Sequence, residues 1–272
     1  MSQGGRMGFD LYYEEQGMGV PILLIAPAGS TASTWGSVIT ELARIGRVIA
    51  YDRRGYARSG GDPVRSISIH TADAASLLEF LEAHPAVIVG TSAGAAIAVD
   101  LAVRRPELVR VVVAHEFPWR FTRHRPASSQ IVALAKIGAF ALLRRKADAT
   151  EVLLRSAYSY GDGSSAWDAF PEEWRQIARR NARPALADFL NSIRSYPSAT
   201  DLASVEVPVL CTYGARSPKS MARLVRLLAA AIPTARTQQI EGAGHAAPFD
   251  AAGNFVRVIA DSFTPVVETG AA

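Results

Sequence analysis

Ala86-Val87-Ile88-Val89-Gly90-Thr91-Ser92-Ala93-Gly94-Ala95-Ala96-Ile97-Ala98 is the stretch that decides the fold. Its opening run is apolar and β-branched, as in a strand buried on both faces. Its closing run is small and helix-forming, and continues to Arg104. Between them lies G-x-S-x-G. A serine there sits on a sharp, strained strand-to-helix turn, and a Cβ at either flanking glycine collides with neighbouring backbone. The turn lifts the Ser92 hydroxyl above the sheet and points a helix N-terminus at a place where negative charge develops. The bare pattern is common by chance. A buried strand before it and a helix after it make it specific.

Outward from this turn, strand-like runs alternate with helix-length amphipathic segments, the pattern of a mostly parallel sheet covered by helices. Residues 9–15, 20–26 and 47–51 read as strands, with a helix over 34–45 and a polar turn at Asp52-Arg53-Arg54-Gly55. A helix is expected over 68–82, and a further buried strand over 109–114. The rhythm breaks from 118 to 199, where helical patterns are joined by breakers such as Gly161-Asp162-Gly163-Ser164-Ser165. It resumes with strands at 207–213 and 235–240 and helices at 220–232 and 249–262. The economical reading is an α/β core, 1–117 and 200–272, interrupted by a helical lid over 118–199. Residues 264–272 read as a tail.

Composition sets bounds. A chain of 272 residues, 49% hydrophobic and 20% charged, is ordinary for a globular protein with a large core. Its single cysteine, Cys211, lies in an apolar run and reads as a small buried hydrophobe. No leader-like opening and no apolar run of ~18 residues is seen, so a cytoplasmic protein without a membrane partner is expected. The net charge of +4 is uneven, because residues 117–200 hold 13 Arg/Lys against 7 Asp/Glu. These cations are scattered along helix-like segments without a nucleic-acid-binding signature. They read as a solvated helical face, or as a field that steers an anionic substrate. No G-x-G-x-x-G and no Cys/His cluster is present, so neither a nucleotide, a metal nor another cofactor is expected.

The chain resembles the α/β-hydrolase superfamily over essentially its whole length. The matching landmarks are Tyr12-Tyr13-Glu14-Glu15, Pro21-Ile22-Leu23-Leu24, Ala28-Gly29-Ser30 ahead of Trp35, Tyr51-Asp52-Arg53-Arg54-Gly55 with Ser59-Gly60, the Ser92 turn and Gly242-Ala243-Gly244-His245. The resemblance implies that Ser92 is the nucleophile and His245 the general base. An imidazole suits the latter task near neutral pH. His70 and His84 are read as belonging to a surface helix and its end. His124 lies in an Arg-rich stretch. His115 is set aside because side chains alternate along a strand.

The third residue departs from the common pattern. Most members place an Asp in the loop after the strand represented here by 209–213, but that loop reads Gly214-Ala215-Arg216-Ser217-Pro218. Ser217 stands at the acid's place and cannot balance an imidazolium. Glu116, which lies 24 residues beyond Ser92 at the end of the adjacent strand, matches the alternative acid position of some haloalkane dehalogenases and zearalenone-type lactone hydrolases. Asp250 is read as a cap of the last helix. The oxyanion donors are expected to be the backbone N–H of Ala93 and that of Ser30 or Gly29.

A serine nucleophile implies acyl transfer. The reading is a hydrolase of an ester or lactone, with Trp119, Trp167 and Trp174 of the lid as substrate contacts beside Phe121, Tyr158, Tyr160 and Phe170. Cleavage of C–C bonds, biosynthetic cyclisation and a slowly turning small-lactone receptor are the alternatives. No oligomeric state follows from the sequence.

Overall fold

Alternate residues of each central strand face opposite sides of one sheet, and both sides are apolar. The strands are β1 (Gln3–Arg6), β2 (Tyr12–Gln16), β3 (Pro21–Ile25), β4 (Arg47–Tyr51), β5 (Ala86–Thr91), β6 (Val109–His115), β7 (Val209–Gly214) and β8 (Ala235–Ile240). The computed structural model describes residues 3–6, 10–64, 66–117 and 128–263. Among these, the sheet order is β1-β2-β4-β3-β5-β6-β7-β8. Contacts of β2 with β1 and β4 are antiparallel, and all others are parallel.

On one face Leu23, Ile25, Ile88, Val112 and Cys211 pack under α2 (Ile67–Phe80), α3 (Ala93–Arg104) and α9 (Lys219–Ala230). On the other, Ile22, Leu24, Val87, Val89, Val111 and Val113 meet Val38 and Leu42 of α1 (Ser37–Leu42) and Phe255 and Ile259 of α11 (Ala252–Phe263). Each of these side chains is worth roughly 1.5–3 kcal/mol when fully buried. The expected helix over 249–262 is two pieces. α10 (Ala247–Asp250) ends at Ala251, whose φ of −150° is not helical, and α11 starts afresh.

Between β6 and β7 the described residues form α4 (Ser128–Leu142), α5 (Lys146–Ala157), a 3₁₀ turn (Ala166–Ala169), α6 (Glu172–Arg180), α7 (Ala182–Ser195) and α8 (Ala199–Ala203). Glu172 and Glu173 begin α6, and Arg179 and Arg180 end it, each complementing the helix dipole.

The turn around Ser92 is held by close backbone approach. A Cβ on Gly90 would overlap the Gly94 carbonyl, and one on Gly94 would overlap the Ile25 carbonyl of β3. Gly94→Ala is therefore expected to push α3 off β3. It should cost several kcal/mol of stability, on the order of the 1–3 kcal/mol of core overpacking or more. A urea unfolding midpoint equal to wild type would contradict this.

Candidate active site

Ser92 follows the fully buried β5 and has φ 52° and ψ −117°, a left-handed conformation that a non-glycine residue holds only under strain. The Ser92 N–H donates to the His115 carbonyl at 2.9 Å, and the Ser92 carbonyl accepts from Ala95 and Ala96 in the first turn of α3. Ser92 and Ala93 are partly exposed, in contrast to the buried strand before them and the buried helix residues after them.

Glu116 is the residue after β6 and also has a positive φ, of 48°. Its N–H donates to the Thr212 carbonyl of β7 at 2.9 Å, which turns the side chain towards the tops of β7 and β8. There Oε1 accepts from the Gly214 N–H at 3.0 Å and from the Ser217 hydroxyl. Oε2 lies 2.7 Å from His245 Nδ1. A carboxylate only accepts, so Nδ1 carries a proton and Nε2 is the ring nitrogen left for the reacting proton. Burial by itself pushes the Glu116 carboxyl up. The His245 hydrogen bond, the neighbouring His115 and His245, and the Gly214 N–H outweigh it and bring the group down to about 2. The carboxylate is fully enclosed, at 0% exposure.

His245 sits beyond β8 in a loop opened by Gly242, at φ 75°. A Cβ on Gly214 would overlap the Ala243 carbonyl, so glycine there lets this loop reach Glu116. The ring is 7% exposed and lies 5.4 Å from the Tyr158 ring. Among the described residues, no hydrogen bond joins the Ser92 hydroxyl to His245. In ligand-free sites that contact is commonly long and tightens when substrate binds.

His245, Thr91 and Ser30 share a pocket, partly open to solvent, with Leu154, Tyr158, Trp167, Phe170, Trp174 and Phe249. Its walls are chiefly aromatic, with Phe170 edge-on to Tyr158 and Phe249 at ring distances of 5.0 Å. Trp35 Nε1 and Thr91 Oγ1, both buried in residues lining it, have no hydrogen-bond partner among the described residues.

The whole arrangement, from β3 to α11, coincides with a family model, Alpha/beta hydrolase family, which matches residues 22–258. The chain belongs to the α/β-hydrolase family. The protein named "Putative carbamate hydrolase RutD" of Azorhizobium caulinodans is 30% identical over 241 residues, covering 87% of this chain and 88% of that one. The zearalenone hydrolase of Bionectria ochroleuca is 25% identical over 220 residues, 78% of each chain. The hydrolase YraK of Bacillus subtilis is 37% identical over 112 residues, and that match spans 40% of this chain and 41% of YraK.

Several residues of this α/β-hydrolase sit otherwise than the sequence suggested. Asp250 caps no helix. It ends α10, and its carboxylate accepts from the Gly244 N–H at 2.8 Å and the Tyr160 hydroxyl at 2.6 Å, pinning the His245 loop. His70 is buried, not on a surface helix, because α7 covers that side of α2. His115 is turned from the pocket as strand alternation requires, but it supports the site. Its Nε2 donates to the Gly244 carbonyl and its Nδ1 accepts from the Thr212 hydroxyl, both at 3.0 Å. Burial holds its pKa down and keeps the ring neutral. Ser30 lines the pocket. Gly29 has φ 81°, and the Ser30 N–H leans to the Pro27 carbonyl at 3.3 Å. Trp167 and Trp174 line the pocket. Trp119, Phe121 and His124 lie outside the described residues.

A buried ion pair was not legible in the sequence. Arg53, 1% exposed, donates to Asp188 of α7 at 2.7 Å and to the Pro27 carbonyl at 3.3 Å, while the Tyr56 hydroxyl donates to the same Asp188 oxygen at 2.6 Å. It ties the inserted helices to the loop that carries Gly29. Asp188→Ala leaves the guanidinium buried without a counter-charge, and is expected to cost about 3–5 kcal/mol in denaturant unfolding. A loss below about 1 kcal/mol, the range of exposed pairs, would show that the pair holds nothing.

Burial pushes Asp188 up, but Arg53 and His70 pull it well below the usual carboxylate range. Glu116 likewise falls from the usual 4.5 to about 2. Groups whose folded pKa is depressed stabilise the fold above the unfolded value, and that contribution is lost as pH falls through the folded one. Stability should therefore decline from about pH 4.5 to 2, less steeply in Glu116→Gln, as read from unfolding midpoints across that window.

Proposed function

We propose that the protein is a serine hydrolase that cleaves an ester or lactone of an apolar substrate through an acyl-enzyme on Ser92. The observation that carries this reading is the buried 2.7 Å pair of His245 and Glu116, with His245 and Thr91, the neighbour of Ser92, lining one pocket. His245 Nε2 takes the Ser92 proton as Oγ bonds to the substrate carbonyl carbon, and the carbonyl electrons move to oxygen. The N–H of Ala93, with that of Gly29 or Ser30, receives this oxyanion, and each such donor is worth roughly 2.7–4 kcal/mol. The C–O bond then breaks, and the leaving alkoxide takes the proton from His245. In a lactone the leaving hydroxyl stays tethered to the acyl group. Water, deprotonated by His245, attacks the acyl carbon, the bond from that carbon to Oγ breaks, and Oγ takes the proton back from His245, which releases the acid and restores Ser92.

Residues 118–199 act as a lid in this reading, with Trp167 and Trp174 as substrate contacts. The similarity to a zearalenone hydrolase and the matching Glu116 position favour a lactone or bulky ester.

A panel of p-nitrophenyl esters and lactones with mass detection of products tests the proposal. The expected product is the hydrolysed acid, gaining one water. Products isomeric with the substrate would replace hydrolysis with cyclisation, and a single slow turnover would replace it with a receptor.

A further inference from the structure

Helix α4 has a normal inner edge and an abnormal outer one. Ile137 is buried with Ala149 and Leu186, and Phe140 packs on the same cluster. The opposite face, where polar residues belong, carries Ile131, Val132, Leu134 and Leu142, exposed by 54, 54, 49 and 88%, and Leu143 follows at 66%. Positions 131, 134, 138 and 142 recur at the spacing of one helix face, with small exposed Ala135, Gly138 and Ala139 between the larger side chains. Single exposed leucines are ordinary, but a contiguous apolar stripe marks an interaction surface.

Charge selects what covers it. From Glu116 to Asp148 the chain holds seven Lys/Arg and not one intervening Asp or Glu. Of these, Lys136, Arg144, Arg145 and Lys146 are described and exposed, and Arg145 lies over Phe140 and pairs with Asp148. A second copy docked through α4 would set cations against cations. Antiparallel, residues 144–146 of one copy meet the positive N-terminal end of the other helix, and parallel, the two clusters meet directly. Nucleic acid would satisfy the cations but has no use for an aliphatic stripe. An anionic lipid surface satisfies both.

We propose that α4 docks on an anionic bilayer surface. It lies in the plane of the interface, with Ile131, Leu134 and Leu142 in the acyl boundary and Arg144 and Lys146 at the headgroups. No helix among the described residues is long and apolar enough to cross a membrane, and surface docking requires none. α4 packs on α5, whose Leu154 lines the pocket that holds His245. The inference does not rest on the ester-hydrolase reading.

Co-sedimentation of the full chain with vesicles of phosphatidylcholine plus phosphatidylglycerol, against phosphatidylcholine alone, is the test. Wild type is expected to pellet with the anionic vesicles and to be released as salt shortens the screening length to about 3 Å. Leu134→Asp and Leu142→Asp should each weaken binding on the order of tenfold or more. Arg144→Gln with Lys146→Gln should remove the preference for anionic lipid. These positions are exposed, and circular dichroism checks that each variant is folded. Failure to pellet, equal pelleting with both vesicles, or variants that bind like wild type overturns the proposal. So does a concentration-dependent dimer in sedimentation velocity that Leu142→Asp dissociates, which would make a second copy the occupant.

Discussion

Ser92→Ala is expected to lower kcat on an activated ester by roughly 10⁵–10⁶-fold, the scale on which removing a triad serine acts. The size follows from chemistry, because alanine offers no atom to form the acyl bond while the oxyanion donors and pocket stay in place. The fold should survive. Serine and alanine are equally strained at φ 52°, and the contacts that define the turn are backbone ones, from the Ser92 N–H to His115 and from Ala95 and Ala96 to the Ser92 carbonyl. Circular dichroism and thermal midpoint should match wild type. A serine-directed phosphonate should label wild type at Ser92 alone, read by peptide mass. An active Ser92→Ala enzyme, or labelling elsewhere, would sink the acyl-enzyme route and favour chemistry that uses the oxyanion donors without a nucleophile.

The core was legible because its signals are local. Runs such as Val87-Ile88-Val89 and Val111-Val112-Val113 are apolar on both faces, and a strand of that kind needs helices on both sides. The turn at Ser92 was legible because its two glycines answer a steric demand confined to a few residues. Glu116 was visible through the missing Asp at Ser217 together with its place 24 residues beyond Ser92, at the end of the adjacent strand. Three features needed the folded chain. The Ser217 hydroxyl holds the Glu116 carboxylate from 101 positions away, so the serine marks more than a lost acid. Asp188 meets Arg53 across 135 positions, and nothing local to either residue announces the pair. Burial of His70 follows from α7 lying on α2, a tertiary choice that the pattern of α2 does not contain. β1 was missed because Gln3-Gly4-Gly5-Arg6 has no apolar alternation, though it pairs antiparallel with β2.

Glu116→Gln isolates the contribution of charge at nearly constant shape. In wild type Oε1 is fixed as an acceptor by the Gly214 N–H and the Ser217 hydroxyl, which leaves Oε2 for His245 Nδ1 at 2.7 Å. A glutamine keeps its carbonyl oxygen on the Gly214 side, so its NH₂ group faces Nδ1. His245 must then accept at Nδ1 and carry its proton on Nε2, the wrong tautomer to receive a proton from Ser92. The expected loss in kcat is on the order of 10⁴, as for a triad acid changed to its amide in the serine-protease example. KM should move little, because Glu116 is fully enclosed and touches no substrate. Ser217→Asp should act with opposite signs in the two backgrounds. In wild type it sets a second carboxylate against a buried one, so it should lower stability and activity. Beside Glu116→Gln it supplies the missing charge at the commoner acid position and should restore part of kcat. A Glu116→Gln enzyme with near-normal kcat refutes the assignment, and Ser217→Asp effects of the same sign in both backgrounds show that His245 is oriented by another group.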